Sequence, residues 1–391
     1  MKLMKRLNTK LLILCLACFV LETVIAWAVF EAVPHLEDEH AYLFQAKVFA
    51  SGHVTVDAPA QPASFSVPFV IQLNGQLFGK YPPGYPLALA LGVLIGQPWL
   101  INVLAAVLAI IGTYLLARDL FDRDTGLLAA ALGVISPMFV LLSGSLLNHT
   151  TTLTALIFFA WAFVRSRRPD EPHRLWFALL AGGSIGWAII TRLWTAVAVS
   201  APFALLALID LIRRTRRNIG VYAGILIVSV LIASPLPLFN AIATGSPTTN
   251  TYRLWWSGDT IGFGPDIGFA AGGHTWDKAL LSLRTDVTAL SSVLFAWPIV
   301  PWLPISWVPV GWLLIVLGLV WPARDRRDWA LLVPVLTLVM AYLAYWAWGS
   351  HVYGPRYYAE ALPFLWILGA QGVIKFGSTP RRSAPSPSEW R

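Results

Sequence analysis

Apolar runs recur along almost the whole chain, separated by polar segments of very unequal length. The runs fall at 11–30, 98–117, 126–143, 148–164, 175–191, 194–212, 219–240, 298–320, 329–348 and 360–376. A hydrocarbon core about 30 Å thick is crossed by about 20 apolar helical residues. The pattern therefore predicts an all-α polytopic membrane protein with about ten transmembrane helices. Two of the intervening segments are long, 31–97 and 241–297. Inside the first, Tyr85 to Gly96 (YPLALALGVLIG) is apolar but too short to span, so it predicts an interfacial or re-entrant helix. A second such helix is predicted where Ala41-Tyr42-Leu43-Phe44-Gln45-Ala46 follows an acidic turn. Pro298, Pro301, Pro304 and Pro309 crowd the start of the eighth run, where irregular backbone must be shielded by protein.

Composition agrees with this pattern. Of 391 residues, 57% are hydrophobic and only 12% charged, about half the ~25% charged share of soluble domains. Soluble enzyme folds, disulfide-rich secreted modules and disordered chains are excluded as the main body. Cys15 and Cys18 lie inside the first apolar run; they form no disulfide framework, and helix packing accounts for their C-x-x-C spacing better than redox or metal chemistry. The run from Leu11 to Phe30 is longer than a signal-peptide core and no small-x-small cleavage site follows, so it reads as a retained first span.

Charge sets the expected orientation. With the N-terminus inside, Lys and Arg collect in alternate, short segments, as the positive-inside rule requires. The basic residues left outside are Lys47, Lys80, Arg192, Arg253, Lys278, Arg284 and Arg356. Both termini are thus expected in the cytoplasm and both long loops outside it. Residues 1–376 read as a single membrane domain and 377–391 as a Ser/Pro-rich disordered cytoplasmic tail. The net charge of +8 sits in short loops between spans and does not point to nucleic acid. Gly182-x-x-x-Gly186 is a helix-contact signature.

Polar chemistry gathers in the outer loops. Directly after the first span, Glu37, Asp38 and Glu39 stand in sequence; their mutual repulsion at an interface raises at least one pKa and suits a general base or a metal ligand. A solvated acidic turn ending a helix is the plainer reading. Next, Gly79-Lys80-Tyr81-Pro82-Pro83-Gly84-Tyr85-Pro86 is a rigid turn presenting a cation at headgroup depth, fit for a lipid phosphate or for simple anchoring. Last, His351 and Arg356-Tyr357-Tyr358 precede the tenth run; the arginine fork suits a phosphate clamp or snorkelling. Arg253 with Trp255 and Trp256 offers a surface for a sugar or for the membrane, and Arg192 beside Trp194 reads as an interfacial anchor. Glu22 is the clear carboxylate within a span.

Three segments in order, EDEHAYLFQAKVFASG, GKYPPGYPLALALG and GPRYYAEALP, together with FNAIATGSP after the seventh span, resemble the GT-C superfamily of membrane glycosyltransferases. Within it the chain is similar to bacterial relatives of protein O-mannosyltransferases and lipid A aminoarabinose transferases. The resemblance implies a transferase in the bacterial inner membrane that takes a sugar from a polyprenyl-phosphate donor at an extracytoplasmic site. It implies Asp38 as the catalytic carboxylate with Glu39 beside it. It implies Lys80 (with Tyr81) at the donor phosphate and a similar role for Arg356; Tyr357, His351 and Arg253, from the residue patterns themselves, are expected as further substrate contacts. Many relatives carry a second acid at the start of the fourth span, where this chain has Asn148 and His149. That acid then comes from Glu37, Glu39 or the 259–286 segment, or is absent, and a divalent metal cofactor stays an open question. The acceptor is a glycan, a lipid or a protein. Chemically, an inverting transfer needs a base for the acceptor hydroxyl and cations for the departing phosphate, around an oxocarbenium-like transition state. The rival readings are a transporter or flippase of lipid-linked glycans and a glycan polymer ligase. A transporter is disfavoured because its ionisable groups belong near the bilayer midplane.

Overall fold

The computed structural model describes residues 9–61, 64, 66–213, 218–295, 310–320, 326–349 and 352–377. Most of the eighth predicted span, the tail from 378 and His351 lie outside the described residues.

The first helix, α1 (Thr9–Val24), runs on through a π-helical turn at Ile25–Val29. The first long loop then holds α2 (Glu37–Ala50), three short strands β1 (Val56–Asp57), β2 (Val70–Leu73) and β3 (Gln76–Gly79), and α3 (Gly84–Leu94). The bundle continues with α4 (Leu100–Leu120), α5 (Arg123–Val134), α6 (Pro137–Gly144), α7 (His149–Arg167), α8 (Arg174–Ile212), α9 (Ile219–Ala233) and α10 (Pro235–Thr244). The second long loop carries α11 (Thr251–Trp255) and α12 (Trp276–Val293); α13 (Leu313–Val320), α14 (Arg326–Leu343) and α15 (Leu362–Gly377) close the chain.

Both expected loop helices are present, as α2 and α3. The small antiparallel sheet, in the order β1-β3-β2, departs from an all-α reading. Its cause is local. Asn74 and Gly75 both take positive φ, 51° and 77°, as a two-residue hairpin between twisted strands requires. β2 pairs with β3 from Val70↔Gly79 to Leu73↔Gln76. The Gln45 carboxamide on α2 accepts the Gly79 N–H at 2.7 Å, so the hairpin delivers the next residue, Lys80, at a fixed distance from α2.

Four helical stretches among the described residues are long and apolar enough to cross a membrane: Thr9–Val29, Leu100–Leu120, Arg174–Ile212 and Ile219–Thr244. The pair α5 and α6, bent by 62° at Ile135–Ser136, makes a fifth if counted together. This is fewer than ten, for physical reasons. α7 is buried on all sides and opens with a polar stretch, His149-Thr150-Thr151-Thr152, which a helix facing lipid could not carry. α15 has 16 residues, nearly all buried. α8 conceals two helices: Arg192 breaks it, with φ −147° and ψ 79°. Arg174 at one end and Asp210 near the other both bond the Asn218 side chain, the second at 2.8 Å. A straight helix of 39 residues would be about 58 Å long at 1.5 Å per residue, so the stretch reverses at Arg192. The two arms correspond to the apolar runs 175–191 and 194–212.

Packing follows the glycines. A Cβ on Gly182 or Gly186 would lie 2.6 Å from the Ile225 carbonyl or 2.8 Å from that of Ser229, so the G-x-x-x-G face lets α8 and α9 touch through their backbones. Trp366, Leu365 and Ile367 of α15 are wholly buried against Phe139 and its neighbours. Meanwhile α1 and α9 leave Leu12, Leu16, Leu226 and Val230 exposed, as a lipid-facing surface does.

Candidate active site

At the end of the bundle where α8 reverses, the two long loops and the start of α15 enclose a cavity of about 1250 Å³. That exceeds the ~300–1,000 Å³ common for small-ligand sites. The three sequence motifs meet on its wall.

Asp38 stands in the first turn of α2, where the helix dipole favours a carboxylate. Its Oδ2 lies 3.0 Å from Nη1 of Arg356, and its Oδ1 accepts the Tyr81 hydroxyl. Residues 38, 81 and 356 therefore form one bonded group. Glu39 points elsewhere. Its carboxylate is buried and accepts the backbone N–H groups of His35 (2.6 Å), Leu36 (3.4 Å) and Leu146 (3.1 Å). This is the acid of a capping arrangement, and it also pins the α6–α7 turn to α2. Burial raises its pKa, while the three amides pull it down. Glu37 faces the cavity.

Lys80 is 3% exposed. Its Nζ lies 2.7 Å from Oδ2 of Asp259 and sits among four rings: Phe69 at 4.6 Å, Trp256 at 4.5 Å, Tyr252 at 4.9 Å and Tyr81 at 5.6 Å. Such a cage stabilises a desolvated cation. Burial lowers the lysine pKa, and Asp259 works against that. The turn is fixed by Thr251, whose hydroxyl donates to the Lys80 carbonyl at 2.6 Å. Gly84 follows because a Cβ there would meet the Ile190 carbonyl at 2.7 Å; the turn packs directly on α8, just before its break.

Arg192 at that break was expected as an interfacial anchor. It is instead the hub of a buried network beside the cavity. Its guanidinium contacts Glu360 (3.3 Å), Asn148 Oδ1 (3.1 Å) and the Tyr342 hydroxyl (2.9 Å). His149 Nδ1 shares the same Glu360 oxygen at 3.2 Å. Tyr342 in turn stacks on Tyr357, 5.1 Å apart and 8° from parallel, and so supports the residue next to Arg356. Arg253 is exposed, bonds the Ser257 carbonyl at 3.3 Å and does not line the cavity. The sequence reading singled out Trp256 as part of an aromatic surface but had no specific signal for Asp259 or Tyr342, whose partners Lys80 and Arg192 lie far away along the chain.

Residues 80–238 match the model of the dolichyl-phosphate-mannose-protein mannosyltransferase family. ArnT from Cupriavidus metallidurans superposes in its apo state with TM-score 0.60 at 14% identity, covering 95% of this chain and 60% of ArnT. Its undecaprenyl phosphate complex gives 0.59 at 16%, covering 95% and 61%. The chain is similar in fold to GT-C glycosyltransferases. The archaeal oligosaccharyltransferase AglB from Archaeoglobus fulgidus, solved with an inhibitory peptide and a dolichol-phosphate, gives 0.57 at 17%, covering 94% and 50%. A complex of the Archaeoglobus fulgidus oligosaccharyltransferase with Zn and sulfate gives 0.52 at 17%, covering 93% and 49%. The chain thus spans about three fifths of ArnT and half of AglB. No curated protein matches it by sequence.

The described residues do not form a metal centre. No three His, Cys, Asp or Glu side chains converge among the described residues. Asp38 already accepts from Arg356 and Tyr81, and Glu39 from backbone amides.

Proposed function

We propose that this protein is an inverting membrane glycosyltransferase. It moves a sugar from a polyprenyl-phosphate donor to an acceptor hydroxyl, with Asp38 as the general base. The observation that carries this is the convergence of Asp38, Lys80 and Arg356 on one cavity at the end of an apolar bundle. The family match and the fold similarity to ArnT and AglB point the same way.

Arg356 is held by Asp38 and Lys80 by Asp259. A donor phosphate entering beside them draws Arg356 toward itself and releases Asp38. The acceptor hydroxyl then gives its proton to Asp38 as its oxygen bonds the anomeric carbon. The bond from that carbon to the phosphate oxygen breaks, and its electron pair leaves with the phosphate. Lys80 and Arg356 hold the charge that develops there. Glu39 positions Asp38 by fixing the first turn of α2. Tyr81 and Tyr357 pack the two cations. The charge bias of the loops supports a site outside the cytoplasm with both termini inside. The test is transfer from a panel of radiolabelled polyprenyl-phosphate sugars by the purified protein in nanodiscs, with membrane acceptors. Absence of both donor binding and transfer across the panel overturns the reading.

The tail of the donor also has a place. An apolar groove of about 340 Å³ between α8 and α14 is lined by Val197, Ala198, Ala201, Leu336 and Met340, and it meets the cavity at Trp194. We assign it the first isoprene units. Ala198→Phe is expected to raise KM about tenfold for a polyprenyl donor, the worth of one or two lost methylene contacts, and to leave a sugar phosphate with a methyl group in place of the isoprenoid chain unaffected. Equal effects on both donors would remove the groove from the binding path.

A further inference from the structure

We propose that Asp259 is a positioning residue for Lys80. It binds one ammonium N–H, directs the other two toward the donor phosphate, and stays paired in the donor complex. The inference rests on the donor reading above and adds a residue from the second loop to it.

Three observations carry it. First, the pair is internal: the two side chains are 4% and 2% exposed, at 2.7 Å. An unpaired lysine in such a place discards its proton. Second, Asp259 is itself held on its other oxygen, by the Tyr345 hydroxyl at 3.3 Å and Trp346 Nε1 at 3.2 Å. It is a fixed acceptor rather than a passing one. Third, the lysine has three donors and one carboxylate partner among the described residues, and both residues line the cavity. Two N–H groups are left for an incoming anion. The charged and titratable groups facing Nζ are Asp259 from the second loop, Asp38 from α2, Tyr81 from its own turn and Tyr252 from α11. Of these, Asp259 does most to keep the ammonium charged, and Asp38 adds less.

The arrangement also explains why the two long loops are bound to one another. Thr251 bonds the Lys80 backbone and Asp259 its side chain. The first loop supplies the cation, and the second sets its charge and direction.

The test reads the lysine before it reads activity. Lys80 is titrated by NMR in ligand-free protein labelled at lysine Cε, assigned through Lys80→Arg, in wild type, Asp259→Asn and Asp259→Glu. Asp259→Asn is expected to lower the Lys80 pKa by about one unit or more, a tenfold change in proton affinity, with Asp259→Glu restoring most of it. The alkaline limb of kcat/KM should move to lower pH by the same amount, and the double variant Lys80→Arg/Asp259→Asn should show no such limb. An unmoved Lys80 titration overturns the role of Asp259, whatever the activity. Tighter binding of undecaprenyl phosphate by Asp259→Asn at a pH where Lys80 stays charged also overturns it, because Asp259 would then be a competitor that the phosphate displaces. A shifted lysine in a wild-type protein that binds no undecaprenyl phosphate overturns the donor reading instead, and with it the phosphate as target of the pair.

Discussion

Asp38→Asn is expected to lower sugar transfer by about 10²–10⁴-fold, the usual worth of a general base, while leaving donor binding intact or tighter. The asymmetry follows from the contacts. Asparagine keeps the shape and can still accept the Tyr81 hydroxyl. It loses the charge that holds Arg356 at 3.0 Å, so the guanidinium becomes freer for a phosphate. A base assignment therefore predicts a fall in kcat without a rise in donor KM, a signature of an interaction made only in the transition state. Were Asp38 only an anchor for Arg356, losing it would scatter the arginine and raise donor KM. Single-turnover rates and undecaprenyl phosphate binding, measured on the same preparation, separate the two. Near-normal transfer by Asp38→Asn would remove Asp38 from the chemistry altogether.

What the chain made legible follows the range over which each signal acts. The apolar runs located the helices, including both arms of α8, because burial in lipid selects composition over some twenty residues. The G-x-x-x-G contact at Gly182 and Gly186 was legible because small residues at that spacing leave one way for two backbones to meet. Asp38, Lys80 and Arg356 stood out as charges in a chain nearly without them, and the structure brings them to one wall. The hairpin at β2 and β3 was overlooked although Asn74-Gly75 announces it; strands of 4 residues give too little alternation to be noticed beside long apolar runs. Asp259 was hidden for a different reason. Its partner is 179 positions away, and nothing local distinguishes it from Asp266 or Asp277. Glu39 looked catalytic because it adjoins Asp38. Neighbours on a helix point about 100° apart, and that rotation sends Glu39 into backbone amides. Arg192 was read by composition as an anchor; only the break in α8 turns its side chain onto Glu360.

Arg192→Met is expected to cost about 3–5 kcal/mol of stability, the penalty for removing one partner of a buried ion pair, and to show as a large drop in thermal unfolding temperature in nanodiscs. Glu360 is fully enclosed, and one of its oxygens has no hydrogen-bond partner among the described residues. The other is shared by Arg192 and His149. Without the guanidinium, a carboxylate that cannot reach water is left with the His149 imidazole and its own backbone N–H. The penalty belongs to the orphaned charge rather than to lost packing, since methionine fills much of the same volume. Arg192→Met/Glu360→Gln should therefore recover much of the stability, a coupling that a double-mutant cycle measures directly. Equal unfolding temperatures for the single and double variants would mean that packing alone sustains this wall. Catalysis carries a second readout. Arg192 bonds the Tyr342 hydroxyl at 2.9 Å, and Tyr342 stacks on Tyr357 beside Arg356. In the double variant that hydroxyl loses a donor while the charge balance is kept. Transfer should then stay below wild type even where stability has returned, because Arg356 is left less firmly aimed at the phosphate.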